Sequence, residues 1–172
     1  MNKNMVAKAI ERHKFSSRVD IIIPFHGQYE RTTRLLESIF RCTYSNVCQV
    51  ILVDDASPNR DYVGLDLKKV PNLECVRLEE QRGFGGAIRA GFDRSEELNE
   101  VRREKNAPEH AYVVFIQSDC VVEDVGWLKG LGESLLNLKP QGVRMVGSLT
   151  NNPMTGDPRQ KGSRGSDGED VI

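Results

Sequence analysis

The 172-residue chain carries 24 Lys and Arg against 25 Asp and Glu, a formal net charge of −1, with 38% hydrophobic and 28% charged residues. The length is close to that of one domain, and the composition is that of an ordinary globular chain with enough apolar matter for a core. Balanced charge leaves no electrostatic footprint for nucleic acid, and no apolar run approaches the roughly 18 residues that a membrane span needs.

Residues 1–18 alternate basic and apolar types without the apolar core of a signal peptide, so they read as a short leader to a cytoplasmic protein. Val19 to Phe25 (VDIIIPF) is predicted as the first strand, with Pro24, which lacks a ladder donor, near its end. From Thr32 the positions Thr32, Leu35, Leu36, Ile39 and Phe40 repeat at i, i+3, i+4, i+7 and i+8, one face of a helix. A turn at Tyr44-Ser45-Asn46 leads to Val50-Ile-Leu-Val, three of its four residues β-branched, as a strand covered on both faces. Two carboxylates, Asp54 and Asp55, interrupt it. Neighbouring strand side chains point to opposite faces, so one of the pair is expected to be held locally and the other to face the space past the strand's carboxyl end.

Asp61 to Lys69 reads as a modest helix, and Leu73 to Leu78 as a weaker third strand. After Gln81-Arg82-Gly83-Phe84-Gly85-Gly86 a helix is predicted from about Ala87 to Arg103, with Ala87, Ala90, Gly91, Leu98 and Val101 inward. Ala111 to Ile116 is a strong strand ending in Gln117-Ser118-Asp119-Cys120. Trp127, Leu128, Leu131, Leu135 and Leu138 mark another helix, with Trp127 packing into the core, and Gly142 to Leu149 reads as a fifth strand. Strand and helix alternate throughout, which calls for an α/β fold with a mostly parallel sheet and right-handed crossovers. Residues 19–149 form the predicted domain. Residues 150–172, rich in Gly, Asp, Ser, Arg and Pro, read as a polar tail, disordered or the remnant of a missing half.

Four cysteines, Cys42, Cys48, Cys75 and Cys120, show no CxxC spacing and read mostly as reduced and packed. A zinc site from Cys42, Cys48 and a histidine matches no common ligand pattern. His13 and His110 read as solvent-facing. Cys120 has no identifiable histidine base and reads as a small side chain rather than a nucleophile.

Three strand ends thus bring polar groups to one edge of a sheet: Pro24-Phe25-His26, Asp54-Asp55 and Ser118-Asp119. Ligands of open α/β sheets bind there. A helix amino terminus near Gly86 adds backbone donors suited to an anion, and a carboxylate can hold a divalent cation that screens a diphosphate. The arrangement suits a nucleoside diphosphate. Plainer roles exist for each residue: Asp55 as a turn former, Asp119 as a cap, His26 as a turn residue, and the glycines as aids to tight packing.

The series Val19-Asp-Ile-Ile-Ile-Pro-Phe-His26, Leu35-Leu-Glu-Ser-Ile-Phe40, Val50-Ile-Leu-Val-Asp-Asp-Ala-Ser57, Arg82-Gly-Phe-Gly-Gly-Ala87 and Gln117-Ser-Asp-Cys-Val-Val122 before Gly126-Trp127-Leu128 resembles, in order and spacing, the amino-terminal half of a family 2 glycosyltransferase. Its rhamnosyltransferase-like subgroup is the most similar. The resemblance implies a Rossmann-like GT-A nucleotide-diphospho-sugar transferase fold, truncated after the donor-binding half. It implies that Pro24, Phe25 and His26 line a uracil or thymine site, that Asp55 accepts from the base N3–H with Asp54 as structural neighbour, and that Arg82, Gly83 and Gly86 border the ribose and diphosphate beside Ser118. Asp119 would ligate Mg²⁺ or Mn²⁺. The partners implied are a UDP- or dTDP-sugar donor and a glycan, lipid-linked or protein acceptor, through which the protein could meet a membrane peripherally.

Two departures stand out. Gln117 replaces the first carboxylate of the usual Asp-x-Asp, which predicts weaker metal binding. The acceptor half with its general base should follow Ser148, and only Glu169-Asp170 resembles that base motif, with Asp170 a weak candidate. The competing expectation is therefore a catalytically incomplete nucleotide-sugar-binding fragment or interaction module. A dinucleotide dehydrogenase fits poorly, because Gly83-Phe-Gly-Gly follows the third strand rather than the first, and no Lys–Asp set supports a phosphoacceptor receiver.

Overall fold

A computed structural model describes residues 18–43, 48–58 and 72–147. In chain order it contains β1 (Val19–Phe25), α1 (Tyr29–Cys42), β2 (Cys48–Asp54), β3 (Leu73–Arg77), α2 (Gly83–Glu104), β4 (Tyr112–Phe115), α3 (Trp127–Leu138) and a 3-10 turn at Lys139–Gln141. The predicted helix at 61–69, the leader and the tail lie outside the described residues. By compactness the chain divides into Met1–Gly132 and Glu133–Ile172.

In the first unit the strands form a sheet of order β3-β2-β1-β4, every pair parallel. β1 is buried along its whole length, as a central strand with both faces covered must be. Alternation then sorts its side chains. Ile21, Ile23 and Phe25 join Leu35, Leu36 and Ile39 of α1, Val50 and Leu52 of β2, and Leu128 of α3 in one cluster. Ile22, Ile51 and Val53 meet Ala87 of α2 in the other, with Ala90 and Leu98 packed against it.

Pro24 costs the sheet little. The Ile22 carbonyl accepts from Ile116 N (3.1 Å) and the Phe25 carbonyl from Asp55 N (2.9 Å), so even positions of β1 face β4 and odd ones β2. The missing N–H of Pro24 therefore points past the end of β4, which pairs no further than Ile22↔Phe115.

α1 begins a turn earlier than its apolar repeat, after Gly27 (φ 63°) and Gln28 (φ 48°) reverse the chain. α2 begins four residues before the predicted Ala87. Its buried stripe is Ala87, Gly91, Ser95 and Asn99, all small or polar. A β-carbon on Gly91 would lie 2.4 Å from Ile22 Cγ2, so the glycine sets how closely α2 approaches the sheet. Val101, predicted inward, is 41% exposed: it lies about 200° round the helix from Asn99. Cys75, predicted packed, is exposed on the edge strand β3, and Cys120 is exposed too. Within the second unit, the residues of the predicted fifth strand that are described, 142–147, form no strand. Gly142 (φ 87°) closes the 3-10 turn, and the sheet of the described residues ends at four strands. No helix among the described residues is long and apolar enough to cross a membrane.

Candidate functional site

Because all four strands run the same way, their carboxyl ends share one edge. β1 continues into His26 and Gly27, β2 into Asp55–Ser57, and β4 into Ile116–Cys120, while α2 starts from the same edge. The ends of β2 and β4 are separated by β1, two strand spacings or roughly 10 Å.

Asp55 is the hub. Though past the last residue of β2 it is only 4% exposed, and its two oxygens accept from the backbone N–H groups of Arg82 (2.6 Å) and Gly83 (2.8 Å). These are among the amino-terminal donors that a helix leaves without intrahelical partners, and a carboxylate there is favoured by both hydrogen bonding and the helix dipole. This cap, supplied from 27 residues upstream, explains the early start of α2. The Asp55 carbonyl in turn accepts from His26 Nδ1 (2.7 Å). That bond places the proton of a neutral His26 on Nδ1 and leaves Nε2 as an acceptor. His26, Asp55, Arg82 and Gly83 are thus joined directly.

Asp54 is fully buried. One oxygen accepts from Ser57 N (2.9 Å) and the other from the Arg77 guanidinium. A second Arg77 nitrogen donates to the Ser57 carbonyl (2.8 Å), and Ser57 Oγ accepts from Gly27 N (2.7 Å). The division of labour expected for the acidic pair holds in part: Asp54 is held locally, but Asp55 is held too, by the helix it caps. Sequence reasoning did not single out Arg77. Its signal was an arginine ending a weak strand, and the parallel register sets it opposite Asp54.

Pro24 is buried in β1, and Phe25 (4% exposed) stacks edge-to-face on Tyr29 with ring centroids 5.9 Å apart. The Arg82 side chain is 55% exposed, 3.6 Å from Glu80. Gly83 has φ +70°, and a β-carbon on Gly86 would lie 2.4 Å from Arg82 Cβ. Ser118, half-buried, and Asp119, exposed, sit in a turn closed by Cys120 N donating to the Gln117 carbonyl (3.1 Å). They reach the common edge through strand order, since β4 is the neighbour of β1. Burial pushes the Cys120 thiol up, with the Asp119 charge adding to it. Asp170 lies outside the described residues.

Among the described residues no three His, Cys, Asp or Glu side chains group to hold a metal ion. One exposed carboxylate, Asp119, still fits a hard cation of the kind that keeps several waters and takes its remaining ligands from a phosphate. It does not make a dedicated cage.

The opposite edge of the sheet holds a second polar cluster. Asp20, fully buried in β1, accepts from Ser95 Oγ (2.5 Å), from Arg102 (3.2 and 3.3 Å) and from His110 Nδ1 (2.5 Å). His110, predicted solvent-facing, has a side chain only 9% exposed, because a buried carboxylate requires partners that the sequence distance of 90 residues hides. Burial would raise the Asp20 carboxyl, but the hydrogen bonds from His110, Ser95 and Arg102 outweigh it and hold the group below its ordinary value. Burial and Asp20 together push the nearby Cys48 thiol up to about 11.

The sequence profile described as "Glycosyl transferase family 2" matches residues 20–164. No curated protein matches the chain in sequence. Among solved structures, TarS of S. aureus superposes with a TM-score of 0.52 at 18% identity, over 71% of this chain and 20% of that one. TarS 1–349 in complex with UDP-GlcNAc gives 0.52 at 17% identity, over 81% of this chain and 38% of the other. The mannosyltransferase PcManGT of Pyrobaculum calidifontis, with GDP-Man and Mn²⁺, gives 0.49 at 20% identity, over 77% and 39%. The two TarS superpositions show the GT-A fold. The chain spans well under half the length of each of these neighbours.

Proposed function

Since the chain belongs to glycosyl transferase family 2, we propose that its shared strand edge binds a nucleotide-diphospho-sugar, of UDP or dTDP type, for transfer of the sugar to a hydroxyl acceptor. The observation that carries this reading is the joining of His26, Asp55, Arg82 and Gly83 in one hydrogen-bonded unit. A carboxylate offers about four acceptor sites, and two of those on Asp55 are committed. What remains can only accept, which suits the N3–H of an imide base. Pro24, Phe25 and His26 form the adjoining wall. Arg82, with Gly83, Gly86 and Ser118, borders the ribose and diphosphate, its exposed guanidinium able to pair with phosphate oxygens.

Asp119 would hold Mg²⁺ or Mn²⁺ against the diphosphate, where the cation supplies Lewis-acid relief to the departing nucleoside diphosphate. With Gln117 beside it offering at most a carbonyl oxygen, metal and nucleotide should bind far better together than apart. The base for the acceptor hydroxyl is left unassigned, with Asp170 only a weak candidate. That a solved neighbour of the same fold carries UDP-GlcNAc supports the choice of donor class.

Calorimetric titration of UDP, dTDP and GDP into the purified chain, with and without Mn²⁺, tests the reading. Saturable uridine or thymidine diphosphate binding that tightens with Mn²⁺ is expected; a folded protein that binds none of the three overturns it. A second reading is donor binding without transfer by these 172 residues taken alone. Donor hydrolysis or sugar transfer by the chain alone would eliminate it.

A further inference from the structure

We propose that Arg77, on the edge strand β3, is a positioning residue for the nucleotide site: its guanidinium clamps the loop after β2 through Asp54 and Ser57, and so fixes the wall against which a base would lie. The inference rests on the donor-binding reading above.

The clamp is a closed chain of bonds. One Arg77 nitrogen donates to Asp54, whose other oxygen accepts from Ser57 N. A second Arg77 nitrogen donates to the Ser57 carbonyl at 2.8 Å. The fork therefore holds both ends of the four-residue turn 54–57, which a single ammonium cannot do with the same geometry. Ser57 passes the constraint on: its hydroxyl accepts from Gly27 N at 2.7 Å, and the Asp55 carbonyl between the two held ends accepts from His26 Nδ1. Ala56, inside the turn, has φ 53°, a left-handed conformation that a residue with a β-carbon keeps only where its surroundings impose it. Arg77 also gives the fully buried Asp54 carboxylate a counter-charge, which offsets part of the cost of burying it.

Arg77 lies one strand beyond the residues assigned to the ligand, and two of its nitrogens are committed to the loop. Its effect on binding is therefore exerted through the shape of residues 54–57 and 26–27. The two arms separate by substitution. Arg77→Lys keeps a positive charge for Asp54 but gives up the simultaneous hold on the Ser57 carbonyl. Arg77→Met gives up both while keeping much of the aliphatic stem.

The test measures UDP and UDP-sugar affinity of the full chain with Mn²⁺, together with the thermal midpoint and the amide signal of Gly27. For Arg77→Lys we expect a midpoint lowered by a few degrees, a displaced Gly27 amide signal, and nucleotide affinity lowered about tenfold, because the loosened loop must be re-ordered on binding. Arg77→Met should bind still more weakly; if it does not fold, the Lys variant alone decides. A folded Arg77→Lys that binds as tightly as the parent, or one whose Gly27 signal is unmoved, overturns the positioning role. Failure of the parent itself to bind any nucleotide would instead remove the donor-binding reading, so the two failures are told apart.

Discussion

Replacing Asp55 by Asn tests whether this carboxylate holds the amino terminus of α2. The native side chain accepts from two backbone donors, Arg82 N at 2.6 Å and Gly83 N at 2.8 Å. Asparagine keeps one acceptor oxygen and turns an NH₂ toward the other N–H, leaving a donor facing a donor. Losing one charge-assisted bond costs roughly 1.5–3 kcal/mol. Removing the negative charge from a helix amino terminus adds roughly 0.3–1 kcal/mol. The total of roughly 2–4 kcal/mol should lower the thermal midpoint by about 10 °C in a domain of this size. Urea unfolding followed by circular dichroism gives the free energy, and hydrogen exchange gives the site: protection should fall first at the opening turn of α2. Asp55→Asn unfolding within about 0.5 kcal/mol of the parent, a change expected of an uninvolved surface position, would refute the capping role.

Gly91→Ala should destabilise the chain by roughly 1–2 kcal/mol in chemical denaturation, because its new methyl meets Ile22 and Val53, both fully buried, and overpacking outweighs the helix-propensity gain. Gly85→Ala, with nothing within 4 Å, should instead be neutral or stabilising. Asp20→Asn should cost roughly 3–5 kcal/mol at neutral pH. The folded carboxyl is held below its unfolded value of 3.8, so its contribution is complete above that pH and fades as pH falls through the folded value; the gap between parent and variant should close only in strong acid. Timed alkylation at pH 7 should modify exposed Cys75 quickly and leave Cys48, buried and raised to about 11, nearly untouched until the chain unfolds.

The parts of the fold that could be read from sequence are those decided by local pattern. β1 and α3 lie where their apolar runs set them, and the alternation of strand and helix was enough for a parallel sheet with polar groups along one edge. What escaped was decided at long range. The start of α2 depends on a carboxylate 27 residues away, and the burial of His110 on one 90 residues away. Gly142 to Gly147 has the composition of a strand, yet composition cannot supply a pairing partner. Of the candidate site, the meeting of three polar strand ends along one edge was legible. The clamp on Asp54 was not, because Arg77 gains its meaning only from the register that sets β3 beside β2.

The most direct test of the shared edge as a nucleotide-sugar site is to map the amide signals of the isotope-labelled chain as UDP-sugar and Mn²⁺ are added. Saturable shifts are expected at His26, Gly27, Asp55, Arg82, Gly83, Ser118 and Asp119, with Asp20, Ser95 and His110 at the far edge unmoved. Shifts that centre on the far edge, or a well-dispersed spectrum that does not change at saturating donor, would contradict it.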